Sequence, residues 1–204
     1  MYKDDSERLT GIVLAGGLSS RMGHDKTRLH VHGDSEPDLL VYTCKLLESV
    51  CSEVWISSRD VKPHADGYLW VKDEVEGTGP IGGIMTSLRA AQGPVLVLSC
   101  DLPFMDTPLL QKLIDFWKAR PEGTLQTTFL QKETGFIEAL VSIYEFEALP
   151  LFERAVDLGI YKLSRVIPEE HQHRLPYSQQ ESLPFFNVNY PADLEMARRI
   201  IAAI

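Results

Sequence analysis

Three cations, Arg21, Lys26 and Arg28, follow a pair of glycines in the stretch LAGGLSSRMGHDKTRL, and Asp25 is the one acid among them. A chain of net charge −9 thus gathers a local charge of +2 over residues 15–30 (three cations less one acid). Gly16 and Gly17 allow a turn that a side chain would obstruct. Successive backbone N–H groups in such a turn form an anion-binding nest. The chemistry this predicts is the binding of a polyphosphate. Neither of the two commonest phosphate fingerprints is present: Lys26 follows Asp25 rather than a glycine, and the glycines are adjacent rather than spaced as G-x-G-x-x-G.

Three further stretches carry groups of the right kind. VLVLSCDLPFM (95–105) ends an apolar run in Asp101, followed by Leu102 and Pro103. A carboxylate at the end of a buried strand is costly unless it serves a cation. Mg²⁺, which takes one or two carboxylates together with phosphate oxygens and water, is the expected partner. Helix capping is the alternative, although Asp106 and Thr107 already offer caps to the segment that follows. DEVEGTGPIGGIMTSL (73–88) sets Asp73 ahead of a Gly79-Pro80 turn, and Gly82 and Gly83 leave room at a helix N-terminus. FFNVNYPADL (185–194) carries Asn187 and Asn189, expected to share one face of a strand near 183–189. Capping of the last helix is the other reading of Asn189.

These residues need a frame. Apolar β-rich runs at 11–15, 53–57, 68–73 and 94–101 alternate with helical patterns at 39–51, 84–92 and 107–120. Strands apolar throughout and separated by helices predict a parallel sheet covered on both faces. Ligands of such sheets bind at the carboxyl ends of the strands, where the glycine stretch and Asp101 both fall. Strands are expected at 124–130 and 136–144, helices near 145–157 and 160–167, and a final helix from Pro191. The fold class is α/β: a three-layer α/β/α sandwich with a mostly parallel mixed sheet. One domain is expected over 1–204, its nucleotide part at about 8–105 and its second-substrate part at about 106–204.

The totals exclude some classes. A sequence pI near 5.1 argues against a nucleic-acid or anionic-membrane surface. No apolar run approaches a membrane span, and the charged start MYKDDSERLT has no secretion signal, so a cytoplasmic setting is expected. Three cysteines without metal-site spacing read as reduced and core-packed. The pairs His30/His32 and His171/His173 lack a third ligand of suitable spacing and read as surface or loop residues, and His24 sits within the glycine stretch.

The glycine stretch matches, at every defined position, the signature L-A-G-G-x-S-x-R-M-G-x-D-K-x-x-L of the MobA-like nucleotidyltransferases, which the chain resembles over about residues 11–195. The other three stretches resemble the family's later motifs. The resemblance implies that Leu14, Ala15, Gly16, Gly17, Lys26, Asp73, Gly79 and Asp101 bind the nucleotide. Arg21, Lys26 and Asp101 are implied to be catalytic, with Asp101 holding Mg²⁺. Asn187, Asn189 and, more weakly, Lys162 and Arg165 are implied to serve a pterin substrate. A carboxylate such as Asp73 suits guanine, whose N1–H and 2-amino groups are adjacent donors. Many members carry Asn shortly after the second strand; here Ser57 and Ser58 stand there.

The implied reaction is transfer of GMP from GTP to molybdopterin, releasing pyrophosphate. Molybdenum-insertion proteins and molybdoenzymes are the implied protein partners. A cytidylyltransferase or a sugar-nucleotidyltransferase of the same fold is the alternative. By resemblance, the second glycine of LAGG favours the guanylyl branch. A non-catalytic nucleotide-binding adaptor would be expected to lack Lys26 or Asp101, and both are present.

Overall fold

The structure is a computed structural model that describes residues 8–16, 25–73 and 77–203. Seven strands form one sheet in the order β3-β2-β1-β4-β6-β5-β7. β1 (Thr10–Leu14), β2 (Glu53–Ser58), β3 (Leu69–Lys72) and β4 (Val95–Ser99) are mutually parallel. β6 (Ile137–Tyr144) runs antiparallel to both β4 and β5 (Gln126–Gln131). β7 (Gln172–Tyr177) adds to β5 in parallel. The sheet is mixed and mostly parallel, as the alternation of strands and helices predicts.

Strand alternation divides the core between two faces. Val13, Leu96 and Leu98 face α1 (Leu39–Glu48) and α3 (Thr107–Lys118), packing with Leu40, Leu47, Leu113 and Trp117. Ile12, Val95 and Val97 face α2 (Pro80–Ala91) and α4 (Leu149–Asp157), packing with Ile84, Leu88 and Phe152. α5 (Pro191–Ile201) contributes Ala197 to a smaller cluster with Val31, Leu39 and Val188. The Asp106 carboxylate caps α3 by accepting from Leu109 N at 2.8 Å, and Asp38 caps α1 by accepting from Val41 N at 2.9 Å. Cys44 and Cys100 are buried and all three thiols are free.

Two expectations fail in the C-terminal half. The final strand is QHRLPY at 172–177, not 183–189, where a 3₁₀ turn (Leu183–Phe185) leads into irregular backbone. The 172–177 stretch carries an exposed proline and four half-buried positions, three of them polar, so its apolar signal is weak; its place at the sheet edge explains that. The helix expected at 160–167 is only a 3₁₀ turn (Leu163–Arg165).

β6 is interrupted. Thr128 pairs with Ser142, but Leu130 pairs with Ile137, so two steps along β5 are matched by five along β6. The extra residues bulge out of the ladder, and such irregularities re-aim side chains beside functional sites.

Candidate active site

A cleft of about 560 Å³ opens over the carboxyl ends of β1, β2, β3 and β4. Leu14 and Gly16 line it after β1, Ser57 and Arg59 after β2, Asp73 after β3, and Ser99 and Asp101 after β4. Gly79, Pro80 and Gly83 close it at the start of α2. Lys26 reaches it from the far end of the glycine stretch, Asn189 from the segment before α5, and Leu140 from the β6 bulge. Of the sequence-derived nucleotide set, Leu14, Gly16, Lys26, Asp73, Gly79 and Asp101 therefore share one cavity. Ala15 is buried beside them, its N–H donating to Ser57 O at 2.9 Å. Gly17, Arg21 and His24 lie outside the described residues.

Asp73 sits in a space made by two absent side chains. A Cβ on Gly16 would lie 3.0 Å from Asp73 Oδ2, and one on Gly83 would lie 3.1 Å from Asp73 Oδ1 and 2.5 Å from Ser57 Oγ. Ser57 donates its hydroxyl to Asp73 Oδ1 at 2.6 Å. Burial pushes the Asp73 carboxyl above its ordinary value, opposed by that hydroxyl and by the charge of Arg59. Ser57 thus spends its donor on a carboxylate across the strand pair. Gly79 takes φ +60°, a conformation side chains rarely adopt, and sets the entry into α2.

Asp101 does not cap a helix. Its Oδ1 accepts the Ser99 hydroxyl at 2.6 Å, while Asp106 caps α3. Its carbonyl accepts Val188 N–H at 2.9 Å and so ties the C-terminal segment to the end of β4. Among the described residues no group of three or more His, Cys, Asp or Glu could hold a metal by itself. A single carboxylate in a cleft fits Mg²⁺ when substrate phosphates supply the remaining oxygens.

Lys26 Nζ donates to Asn189 Oδ1 at 2.7 Å across 163 positions of sequence. The turn that carries Lys26 (Lys26–Arg28) is clamped from behind. Asp25 accepts from Thr27 N at 3.1 Å, Thr27 Oγ1 at 2.7 Å and Lys62 Nζ at 3.0 Å. Burial opposes the charge of Asp25, but the hydrogen bonds from Thr27 and Lys62 together hold its pKa below the ordinary value. The acid of the glycine stretch therefore anchors the loop. Arg28 is exposed on the same turn.

Several expectations need correction. Asn187 and Asn189 do not lie on a strand and do not act together: Asn187 Nδ2 donates to Phe185 O at 3.3 Å, and only Asn189 lines the cleft. Nor does Asn189 cap α5; its backbone N–H and that of Tyr190 both donate to Asp193 Oδ2, at 2.9 and 2.8 Å. Lys162 lines a separate depression with Ser164, Glu169 and Arg174. His173 is no loose surface residue; its ring stacks on Phe116 of α3, with centroids 3.8 Å apart and planes 5° apart. The sequence reading missed Arg59, Ser99 and Leu140 as cleft residues. Ser99 was detectable: it precedes Asp101 by two positions at a strand end, within reach of its carboxylate. Leu140 was not, because its position depends on the bulge.

The chain matches the MobA-like NTP transferase domain over residues 11–175. It is 31% identical to a probable molybdenum cofactor guanylyltransferase of Chloroflexus aggregans, with 93% of each chain covered. A protein of Thermococcus gammatolerans with the same description is also 31% identical, over 91% of this chain and 97% of that one. Among solved structures, molybdopterin-guanine dinucleotide biosynthesis protein A of Archaeoglobus fulgidus superimposes with a TM-score of 0.75 at 25% identity, covering 96% of this chain and all of that one. The fold is shared with 2-C-methyl-D-erythritol 4-phosphate cytidylyltransferase of Thermus thermophilus, with a TM-score of 0.69 at 14% identity, covering 96% of this chain and 99% of that one. Among the described residues no helix is long and apolar enough to cross a membrane. With the fold, the strand-end cleft and the match over most of its length in agreement, the chain belongs to the MobA-like NTP transferase family and is a nucleotidyltransferase of that superfamily.

Proposed function

We propose that this protein transfers GMP from GTP to the phosphate of molybdopterin, forming the guanine dinucleotide and releasing pyrophosphate. One observation carries the reading: the cleft at the strand ends brings together Lys26, Asp73, Asp101 and Asn189, which come from four separate stretches of sequence. The names of the guanylyltransferase relatives support the choice of substrates.

The acceptor's phosphate monoester has a second pKa of about 6, so it is largely dianionic near neutrality and needs no base to activate it. One of its oxygens bonds to the α-phosphorus of GTP while the bond from that phosphorus to the bridging oxygen of pyrophosphate breaks. The protein's work is to align two polyanions and to spread the charge that develops. Lys26, steadied by Asn189, supplies positive charge to the phosphates, and Arg21 is assigned the same role. Asp73 accepts the N–H donors of the base. Asp101 is the carboxylate that would hold Mg²⁺, which supplies Lewis-acid stabilisation of the phosphates when bound. Leu14 to Gly17 offer backbone to the base and phosphates, and Gly79 shapes the loop beside them.

The reading is tested by incubating the protein with molybdopterin, Mg²⁺ and either GTP or CTP, and following pyrophosphate and dinucleotide. Pyrophosphate release with GTP that requires the pterin supports it. Release with CTP in preference to GTP assigns the chain to the cytidylyl branch and overturns it. Transfer with neither nucleotide also overturns it. A thermal-shift comparison gives an independent readout, because a ligand that binds only the folded chain raises its apparent stability.

A further inference from the structure

Behind the bulge of β6 lies a polar network with almost no exposure. Gln126, Thr128, Ser142 and Tyr144 are each at most 1% exposed. Thr128 donates its hydroxyl to Glu138 O at 3.1 Å, and Ser142 Oγ lies 2.7 Å from Thr128 Oγ1 and 2.9 Å from Glu138 O. Tyr144 OH donates to Ala139 O at 2.7 Å, and Gln126 Nε2 donates to both Ser142 Oγ and Tyr144 OH. Carbonyls that the bulge removes from the β5–β6 ladder are thereby satisfied, so the bulge is a fixed part of the fold.

The bulge serves two cavities. Leu140 lines the cleft already described, and Glu138 lines a second cavity of about 410 Å³. Glu138 and Leu140 are separated by at most about 7 Å of chain, so the bulge contributes to the lining of both cavities. The C-terminal segment also lines both, with Phe186 in the second cavity and Asn189 in the cleft. Phe185 and Tyr177 form the aromatic wall of the second cavity, their centroids 4.5 Å apart, with Phe129 behind Phe185 at 5.1 Å. Tyr177 donates its hydroxyl to Glu138 Oε1 and so fixes the carboxylate. Gln131, Gln180 and Ser182 complete the polar lining, and among the described residues no cation lines this cavity.

Aromatic walls, one fixed carboxylate and, among the described residues, no lining cation do not suit a phosphate. They fit a flat nitrogen heterocycle whose adjacent ring N–H and amino groups donate to the carboxylate while its faces rest on the aromatic rings. We infer that this cavity receives the ring system of the acceptor substrate, with Glu138 as the residue that selects a 2-amino-4-oxo heterocycle. The inference rests on the acceptor assigned under the proposed function. It also gives that acceptor a direction in the site: phosphate toward Lys26 and Asn189, ring toward Glu138 and Phe186.

The test is steady-state transfer from GTP to molybdopterin by the wild type and by Glu138→Gln and Gln180→Trp. The first variant replaces the accepting oxygen; the second fills the cavity from an exposed position and leaves the core untouched. Glu138→Gln is expected to raise KM for the pterin about 10- to 100-fold, the range for a hydrogen bond to a charged group, and Gln180→Trp, which blocks the cavity, is expected to raise it at least as far. KM for GTP and the thermal shift given by GTP should stay at wild-type values. An unchanged pterin KM in Gln180→Trp overturns the inference, whether or not Glu138→Gln folds, and leaves the proposed function standing. Failure of the wild type to use molybdopterin overturns both.

Discussion

Lys26 Nζ and Asn189 Oδ1 are 2.7 Å apart, joining the end of the glycine stretch to the segment that precedes α5. The contact closes the cleft across the two ends of the chain. A lysine on a flexible stem is a point charge without preferred direction. Here an amide oxygen gives it one, and Asp193 holds the backbone of that amide residue in place. Asn189→Ala should therefore lower kcat about 10-fold or more, by the worth of a hydrogen bond to a charged group, with the fold intact by circular dichroism. Lys26→Ala should lower it by orders of magnitude. Wild-type kcat in both variants would remove Lys26 from the reaction.

Asp101 offers a sharper test of the metal assignment. Asp101→Asn keeps the size of the side chain and a partner for Ser99, but removes the charge that a divalent cation requires. The expected result is loss of transfer by orders of magnitude, partly recovered at high Mg²⁺. Chelation should abolish transfer by the wild type. Equal Mg²⁺ dependence in the variant and the wild type would contradict the role given to Asp101.

The raised pKa of Asp73 has a definite sign. Burial disfavours its ionised form, so the folded chain holds this proton to higher pH than the unfolded chain does. Asp73 thus detracts from stability as pH rises from the ordinary carboxylate value of 3.8 through its folded pKa. If the ionised form binds the base, nucleotide affinity falls on acidification, with a midpoint above 3.8. Titration of GTP binding against pH should show that step, and Asp73→Asn should lack it. Removing the Ser57 donor by Ser57→Ala should move the midpoint upward, because its hydrogen bond favours the ionised form.

The bulge network makes a prediction about folding alone. Ser142→Ala takes away a hydroxyl that contacts Thr128, Glu138 O and Gln126 in a fully buried setting. Leaving buried polar partners unsatisfied costs about 1–3 kcal/mol. Denaturant unfolding should report a lower midpoint with an unchanged slope.

The clamp on Asp25 can be probed from its far side. Lys62→Met breaks the ion pair at 3.0 Å while preserving the length of the side chain. The turn bearing Lys26 loses one of its anchors, and kcat should fall while Lys62→Arg recovers most of it. Equal rates in the two variants would show that the remaining Thr27 bonds suffice to hold the turn.

The sequence by itself determined the frame. Strands apolar at every position, alternating with amphipathic helices, can bury both faces only as a sandwiched, largely parallel sheet, and such a sheet offers its carboxyl ends to ligands. That placed the start of the glycine stretch and Asp101 at one end of the molecule before any contact was known, because each follows a strand; the grouping of Lys26, Asp73 and Gly79 with them was implied by the family resemblance. Tertiary structure decided everything that depends on pairing between distant segments. Periodicity carries no information on register, so the β6 bulge that delivers Leu140 and Glu138 was invisible, as was a last strand whose half-polar sequence is stable only at the sheet edge. The same reason separates Asn187 from Asn189. Their spacing implied a shared face only on a strand, and the Val188 N–H bond to Asp101 O holds that segment as irregular backbone instead. Side-chain types named the chemistry; long-range hydrogen bonds chose which of those side chains meet.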